Sequence, residues 1–115
     1  MRTALAPHDL THVQFVLLAS AWWLGDHEEP PTQQRLAEQA GTDPMMTSQV
    51  IRKLAERGLV TRTPDPRDAR ALRLTVTPDG RELLAAALRD VERADADYFA
   101  GVDDDFVAGL GRLLR

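Results

Sequence analysis

The chain has no cysteine. That excludes a disulfide framework, a thiolate metal site, a thiol redox sensor and a catalytic thiol. It also lacks a long apolar run. The longest, Val16 to Leu24, is broken by Ser20 and falls far short of the roughly 20 residues that span a bilayer. The N-terminus shows no basic segment followed by an apolar core and a small-residue cleavage site, so no export signal is expected. A cytoplasmic protein with no membrane association fits these absences. The seven glycines stand one at a time, not in a phosphate-cradling loop. Ser20 lies in an apolar run and Ser48 in a basic one, and neither has a nearby histidine to activate it. No enzyme and no cofactor are implied. His8, Asp9 and His12 have a spacing that suits a metal only on one continuous helix, and a helix cap at Thr11 breaks that continuity.

The chain does have charge, and the charge is sorted. Residues 44 to 73 hold seven cations (Arg52, Lys53, Arg57, Arg62, Arg67, Arg70, Arg73) against three acids (Glu56, Asp65, Asp68), a local +4. The whole chain has a formal net charge of −4, so the remaining residues sum to −8. A local basic footprint of this kind points to nucleic acid even in a mildly acidic chain. At 115 residues the chain is one domain by length.

Local signals divide it into elements. Thr11 and Gln14 form a capping box, with Leu10 and Phe15 at the hydrophobic-staple positions. The helix they open runs through VLLASAWWL and is expected to stop near Gly25. It is apolar on most of its circumference and therefore central. Trp22 and Trp23 are adjacent and cannot share a face. One is expected in the core, and the other in plain packing, a ligand cavity or a dimer seam. Thr32 caps a short helix that Gly41 ends. Asp43 and Pro44 restart a helix at once, with Met46, Val50, Ile51 and Leu54 on its apolar face and a stop at Gly58. Met45 and Met46 are read as gap-filling packing. Two helices joined by a short glycine turn make a helix-turn-helix.

Thr47, Ser48, Gln49, Arg52 and Lys53 are read as lying off the apolar stripe. Short hydrogen-bonders come first and cations later, which suits base edges and then phosphates. Residues 59–63 and 71–76 read as strands, the second with Leu72, Leu74 and Val76 alternating against Arg73 and Thr75. Between them PDPRDAR forms a hairpin tip. Asp65 and Asp68 would repel phosphate, and the reading given to Asp68 is that it orients Arg70 for a narrow, electronegative minor groove. Thr77 and Pro78 open a helix that continues to about Ala100, with Leu84, Ala87, Leu88, Val91, Ala94 and Tyr98 as a near-heptad stripe. Asp103 or Asp104 caps a last helix bearing Phe106, Val107, Leu110, Leu113 and Leu114. The Asp103–Asp105 run is read as that cap and not as a cation site.

The expected fold is therefore mainly α with a small antiparallel β-hairpin. Residues 11–77 form a winged helix-turn-helix core, and residues 78–115 a C-terminal helical dimerisation arm, within a single domain over 1–115. The segments LTHVQFVLL, RLAEQAG, MTSQVIRKLAERGLVTR, the wing DPRDAR, and VTPDG at the start of the next helix resemble the MarR family of bacterial transcriptional regulators. The resemblance covers the chain from Leu10 onward. It implies a homodimer that binds a pseudo-palindromic site in double-stranded DNA, with a recognition helix in each major groove and a wing arginine in each minor groove. By position Arg70 is that arginine and Asp68 its partner. Thr47, Ser48, Gln49, Arg52 and Lys53 fall on the recognition helix, and Arg67 completes the candidate set on the wing. The resemblance also implies repression relieved by a small aromatic or anionic ligand.

One departure stands out. Family members begin with an additional helix, but only MRTALAPHDL precedes Thr11 here, and Pro7 interrupts it. That helix is expected to be missing or vestigial, leaving Leu84 to Leu114 to build the dimer interface. The alternative function is a winged-helix protein-interaction module or antirepressor without DNA binding.

Overall fold

A computed structural model describes residues 10–94 of the chain. Helix α1 (His12–His27) opens on the expected capping box: the Gln14 N–H donates to the Thr11 hydroxyl, and the Thr11 N–H donates to the Gln14 side chain, both at 3.1 Å. The helix runs past Gly25, because that glycine keeps helical geometry, and ends where the Glu28 N–H bonds the Leu24 carbonyl at 2.8 Å. Helix α2 (Gln33–Ala40) is capped by the Thr32 hydroxyl and closed by Gly41 at φ 68°. Helix α3 (Pro44–Glu56) starts with the Asp43 carboxylate accepting the Met46 N–H at 3.0 Å. Strands β1 (Val60–Asp65) and β2 (Asp68–Val76) pair antiparallel, with Val60 opposite Val76 and Pro64 opposite Leu72. Helix α4 (Pro78–Ala94) follows. Among the described residues the architecture is mainly α with one small hairpin, as the pattern predicts.

Helix α1 is the centre. Phe15, Leu17, Leu18, Ala19, Ser20, Ala21 and Leu24 are all buried on it, and it packs against α2, α3, β2 and α4. The core adds Leu36 from α2, Ile51 and Leu54 from α3, Leu74 from β2, and Leu84 and Leu88 from α4. Each such side chain contributes on the order of 1.5–3 kcal/mol by leaving water. Leu84, Ala87 and Leu88 thus belong to this chain's own core. They are not available to the dimer seam that the sequence assigned to them, because α4 spends that face on α1. The downstream stripe at Tyr98, the helix capped near Asp103, and the residues preceding Leu10 lie outside the described residues.

Neither tryptophan enters the fully buried core. Trp22 and Trp23 are both partly buried against it. The Trp23 ring stacks on His27, with centroids 4.2 Å apart.

The sheet gains a third short partner. The Leu74 N–H donates to the Pro31 carbonyl at 2.8 Å, and Thr32 bridges Arg73. This ties the wing to the loop between α1 and α2. A second joint fastens the wing to α4. The Thr77 N–H donates to the Leu59 carbonyl at 3.0 Å, and the Thr77 hydroxyl donates to the Gly58 carbonyl at 2.6 Å while accepting the Gly80 N–H. Gly80 passes so close that a Cβ there would sit 2.1 Å from the Leu59 carbonyl oxygen. The spacing Thr77-x-x-Gly80 is therefore a packing requirement.

Candidate nucleic-acid interface

The turn between α2 and α3 is short and internally bonded. The Thr42 N–H donates to the Ala37 carbonyl at 3.0 Å, after Gly41 has turned the chain into left-handed geometry. Thr47 then locks the turn. Its hydroxyl donates to the Asp43 carbonyl at 2.9 Å and lies 2.6 Å from the Thr42 hydroxyl. Since the Thr47 proton is committed to Asp43, Thr42 is the donor of that pair. Thr47 is fully buried. This corrects its assignment to the DNA-reading set. It lies three, four and seven residues before Val50, Ile51 and Leu54, so it shares their inward face and cannot reach a groove.

The other recognition-helix candidates are differently placed. Gln49, Arg52 and Lys53 are exposed, and Ser48 is half-buried. The inward face of Thr47, Val50, Ile51 and Leu54 fixes the helix against the core, and the outward face carries an amide and two cations. Met45 and Met46 also depart from expectation. Both are exposed, because Val50, Ile51 and Leu54 already fill the contact with the core and the first turn projects beyond it.

On the wing, the two aspartates shape the tip. The Asp65 carboxylate accepts the Arg67 N–H, and the Asp68 carboxylate accepts the Arg70 N–H, each two residues on and each at 3.0 Å. These side-chain turns explain acids at a basic tip: they close the hairpin and aim the following arginines. The Asp68 contact with the Arg70 guanidinium is longer, 3.6 Å, and that guanidinium side chain is 95% exposed. Asp68 thus sets the backbone of Arg70 more firmly than its side chain.

Arg73 behaves otherwise. Alternation placed it on the wet face, yet its side chain is only 13% exposed and bonds Glu29 at 3.0 Å and Asp65 at 3.3 Å. It also donates to the Pro30 carbonyl. The carboxyl of Asp65 is held below the usual carboxylate range, first by the Arg67 N–H and then by Arg73, against burial that acts the other way. For Arg73, burial opposes the charge, but the bonds to Asp65 and Glu29 outweigh it and raise its pKa further. Glu29 also pairs with Arg67 at 3.0 Å. Of the basic block, Arg73 is thus a structural strut. Glu29 was missed by sequence reasoning, since its partners lie 38 and 44 residues away and no local pattern announces them.

A cleft of about 220 Å³ lies between the end of α1 and the wing, lined by Trp22, Gly25, Asp26, Pro30 and Leu74 among others. Among the described residues no cluster of His, Cys, Asp or Glu is arranged to hold a metal. No helix there is long and apolar enough to cross a membrane.

A helix-turn-helix joined to a basic wing is the geometry of a duplex reader, and comparison with known proteins agrees. The MarR family model matches residues 10–72. The HTH-type transcriptional regulator YdcH of Bacillus subtilis is 43% identical over 114 residues, covering 97% of this chain and 78% of YdcH. The chain belongs to the MarR family. It is accordingly a DNA-binding transcriptional regulator and not an enzyme. Among solved MarR-family structures, CouR from Rhodococcus jostii RHA1 bound to p-coumaroyl-CoA is 33% identical with a TM-score of 0.71, covering 98% of this chain and 77% of that one. The repressor CouR bound to a 23-mer DNA duplex is 29% identical with a TM-score of 0.72, covering 98% of this chain and 78% of that one.

Proposed function

We propose that the protein is a ligand-responsive repressor that acts as a homodimer on a pseudo-palindromic DNA site in the cytoplasm. The observation that carries this reading is the division of α3. Thr47, Val50, Ile51 and Leu54 face the core, while Gln49, Arg52 and Lys53 face solvent beside a wing whose Arg70 side chain is 95% exposed. Gln49 and Arg52 read base edges in the major groove. Ser48 and Lys53 contact phosphate. Arg70, framed by Asp68 and flanked by Arg67, enters the minor groove. Residues 78–115 form the dimerisation arm, with the seam on residues beyond Leu88. The likeness to CouR, solved with a 23-mer duplex and with p-coumaroyl-CoA, supports both DNA and a small anionic or aromatic ligand. The cleft beside Trp22 suits such a ligand, because it touches both α1 and β2.

Two recognition helices related by a two-fold read half-sites about 10 bp apart, and binding weakens steeply with salt as phosphate contacts release counterions. A randomised-site selection followed by gel-shift titration tests the assignment. Gln49→Ala and Arg52→Ala each lose on the order of 1–3 kcal/mol and relax preference at one position per half-site. Arg70→Ala weakens binding with an unchanged melting temperature, since its side chain buries little. Absence of duplex affinity at low salt, or a monomer by light scattering, contradicts the reading.

A further inference from the structure

Met45 and Met46 are the large apolar side chains that the described residues leave in solvent, 71% and 46% exposed. Both lie in the first turn of α3, immediately after Pro44. At 100° per residue, Met45 stands half a circumference from Leu54, at the middle of the outward face. Gln49 and Arg52 follow it at four and seven residues, which puts all three on one stripe. Met46 sits at the edge of that face, in line with Lys53. The stripe therefore reads, from the N-terminal end, as a flexible thioether, an amide and a guanidinium.

The N-terminal residues of a recognition helix are the ones that reach base edges. The major groove offers hydrogen-bonding atoms at every base pair but one apolar group, the C5-methyl of thymine. A methionine there has no use for the hydrogen-bonding atoms. Its unbranched, polarizable side chain is suited to cover a methyl of variable position. Its neighbours decide the occupant. A protein partner covering Met45 would also have to cover Gln49 and Arg52 within the +4 block, whereas a duplex satisfies all three side chains at once.

We infer that Met45 is a specificity-determining residue that recognises a thymine 5-methyl group in each half-site, with Met46 flanking the contact. This rests on the reading of α3 as the recognition helix.

The test removes the methyl group alone. A randomised duplex library is prepared once with thymidine and once with deoxyuridine in its place, and the full chain selects from both. The wild type is expected to enrich thymine at one position per half-site and to bind the matching uracil duplex about fourfold more weakly, the loss for one buried methyl. Met45→Ala is expected to bind thymine and uracil duplexes equally, while the preferences set by Gln49 and Arg52 persist. Met45→Leu, which keeps an apolar side chain, should retain the discrimination. Equal binding of the two duplexes by the wild type, or undiminished discrimination by Met45→Ala, overturns the inference but leaves the recognition helix standing. No enriched duplex from either library overturns both. If Met45→Ala dissociates the homodimer with base preference intact, the methionine faces a second copy and the inference is again overturned.

Discussion

Replacing Gly80 with alanine should strongly destabilise the protein, although the residue lies within a helix where alanine is ordinarily preferred. The new Cβ would stand 2.1 Å from the Leu59 carbonyl oxygen and 2.9 Å from its carbon. Ordinary contact begins near 3.4 Å, so the start of α4 must retreat from Leu59 by more than 1 Å. Backbone lies on the far side, and no side chain can swing away to make room. The retreat strains or breaks the Thr77 bonds to Leu59 and Gly58, worth about 1 kcal/mol each. Forced overpacking adds about 1–3 kcal/mol, and helix propensity returns about 1 kcal/mol. The net loss is on the order of 2–4 kcal/mol, or a melting temperature lower by about 10 °C or more. Gly25→Ala is the internal control. It too is helical, but nothing lies within 4 Å of its added Cβ, so it should stabilise by about 0.5–1 kcal/mol. Urea and thermal melts of both variants decide the matter. A Gly80→Ala protein as stable as wild type, with Gly25→Ala behaving normally, refutes the close-approach argument.

Three further outcomes follow from the site. Thr47→Val should lose about 1 kcal/mol in urea titration, because the turn loses the hydroxyl that joins Asp43 to Thr42, yet its selected DNA sequence should match wild type. A changed base preference would return Thr47 to the reading face. The Asp65 carboxyl has a lowered folded-state pKa, so its stabilisation is present above the ordinary carboxylate value of about 4 and is lost as pH falls through the lowered one. Asp65→Asn should therefore be less stable than wild type at neutral pH, with the gap closing in acid. A gap that stays constant down to the acid limb would show that the charge of Asp65 is irrelevant. Glu29→Gln should leave the melting temperature nearly unchanged but increase hydrogen exchange along β2, since Arg67 and Arg73 lose a shared charged partner. Unchanged exchange there would mean that Arg73 is held by Asp65 and Pro30 alone.

Most of the fold was legible because its punctuation is local. The Thr11–Gln14 box, the Thr32 cap, the Asp43–Pro44 restart and the glycines at 41 and 58 each act within a few residues, so each can be read from a short window. The strands were drawn short, at 59–63 and 71–76, because a tip rich in Pro and Asp looks like loop. The Asp65 and Asp68 carboxylates bond the N–H groups of Arg67 and Arg70 and let pairing run to the turn. Helix α3 was read correctly in its extent and wrongly in the facing of Thr47 and the packing given to Met45 and Met46. The errors at Thr47 and Met45 come from weighing residue type over phase, whereas Met46 is in phase with Val50 but sits in a first turn that projects beyond the core. Counting back from Leu54 puts threonine inward and methionine outward, and the three apolar residues after them had already fixed the helix phase. Arg73 could not have been read at all, because its burial depends on Glu29 reaching across from another loop.

The joint at Leu59, Thr77 and Gly80 also governs how the molecule transmits force. Three hydrogen bonds and a close backbone approach clamp the start of α4 to the base of the wing, and we take this joint to be stiff. In the proposed dimer a tilt of one arm against the other therefore arrives at the wing as a rotation of the whole reading head. Such a stiff caliper should tolerate substitutions within an operator better than a change in its length. One inserted base pair moves the half-sites about 3.4 Å apart and turns one relative to the other by roughly a tenth of a helical turn, a mismatch that a hinge would absorb and this joint cannot.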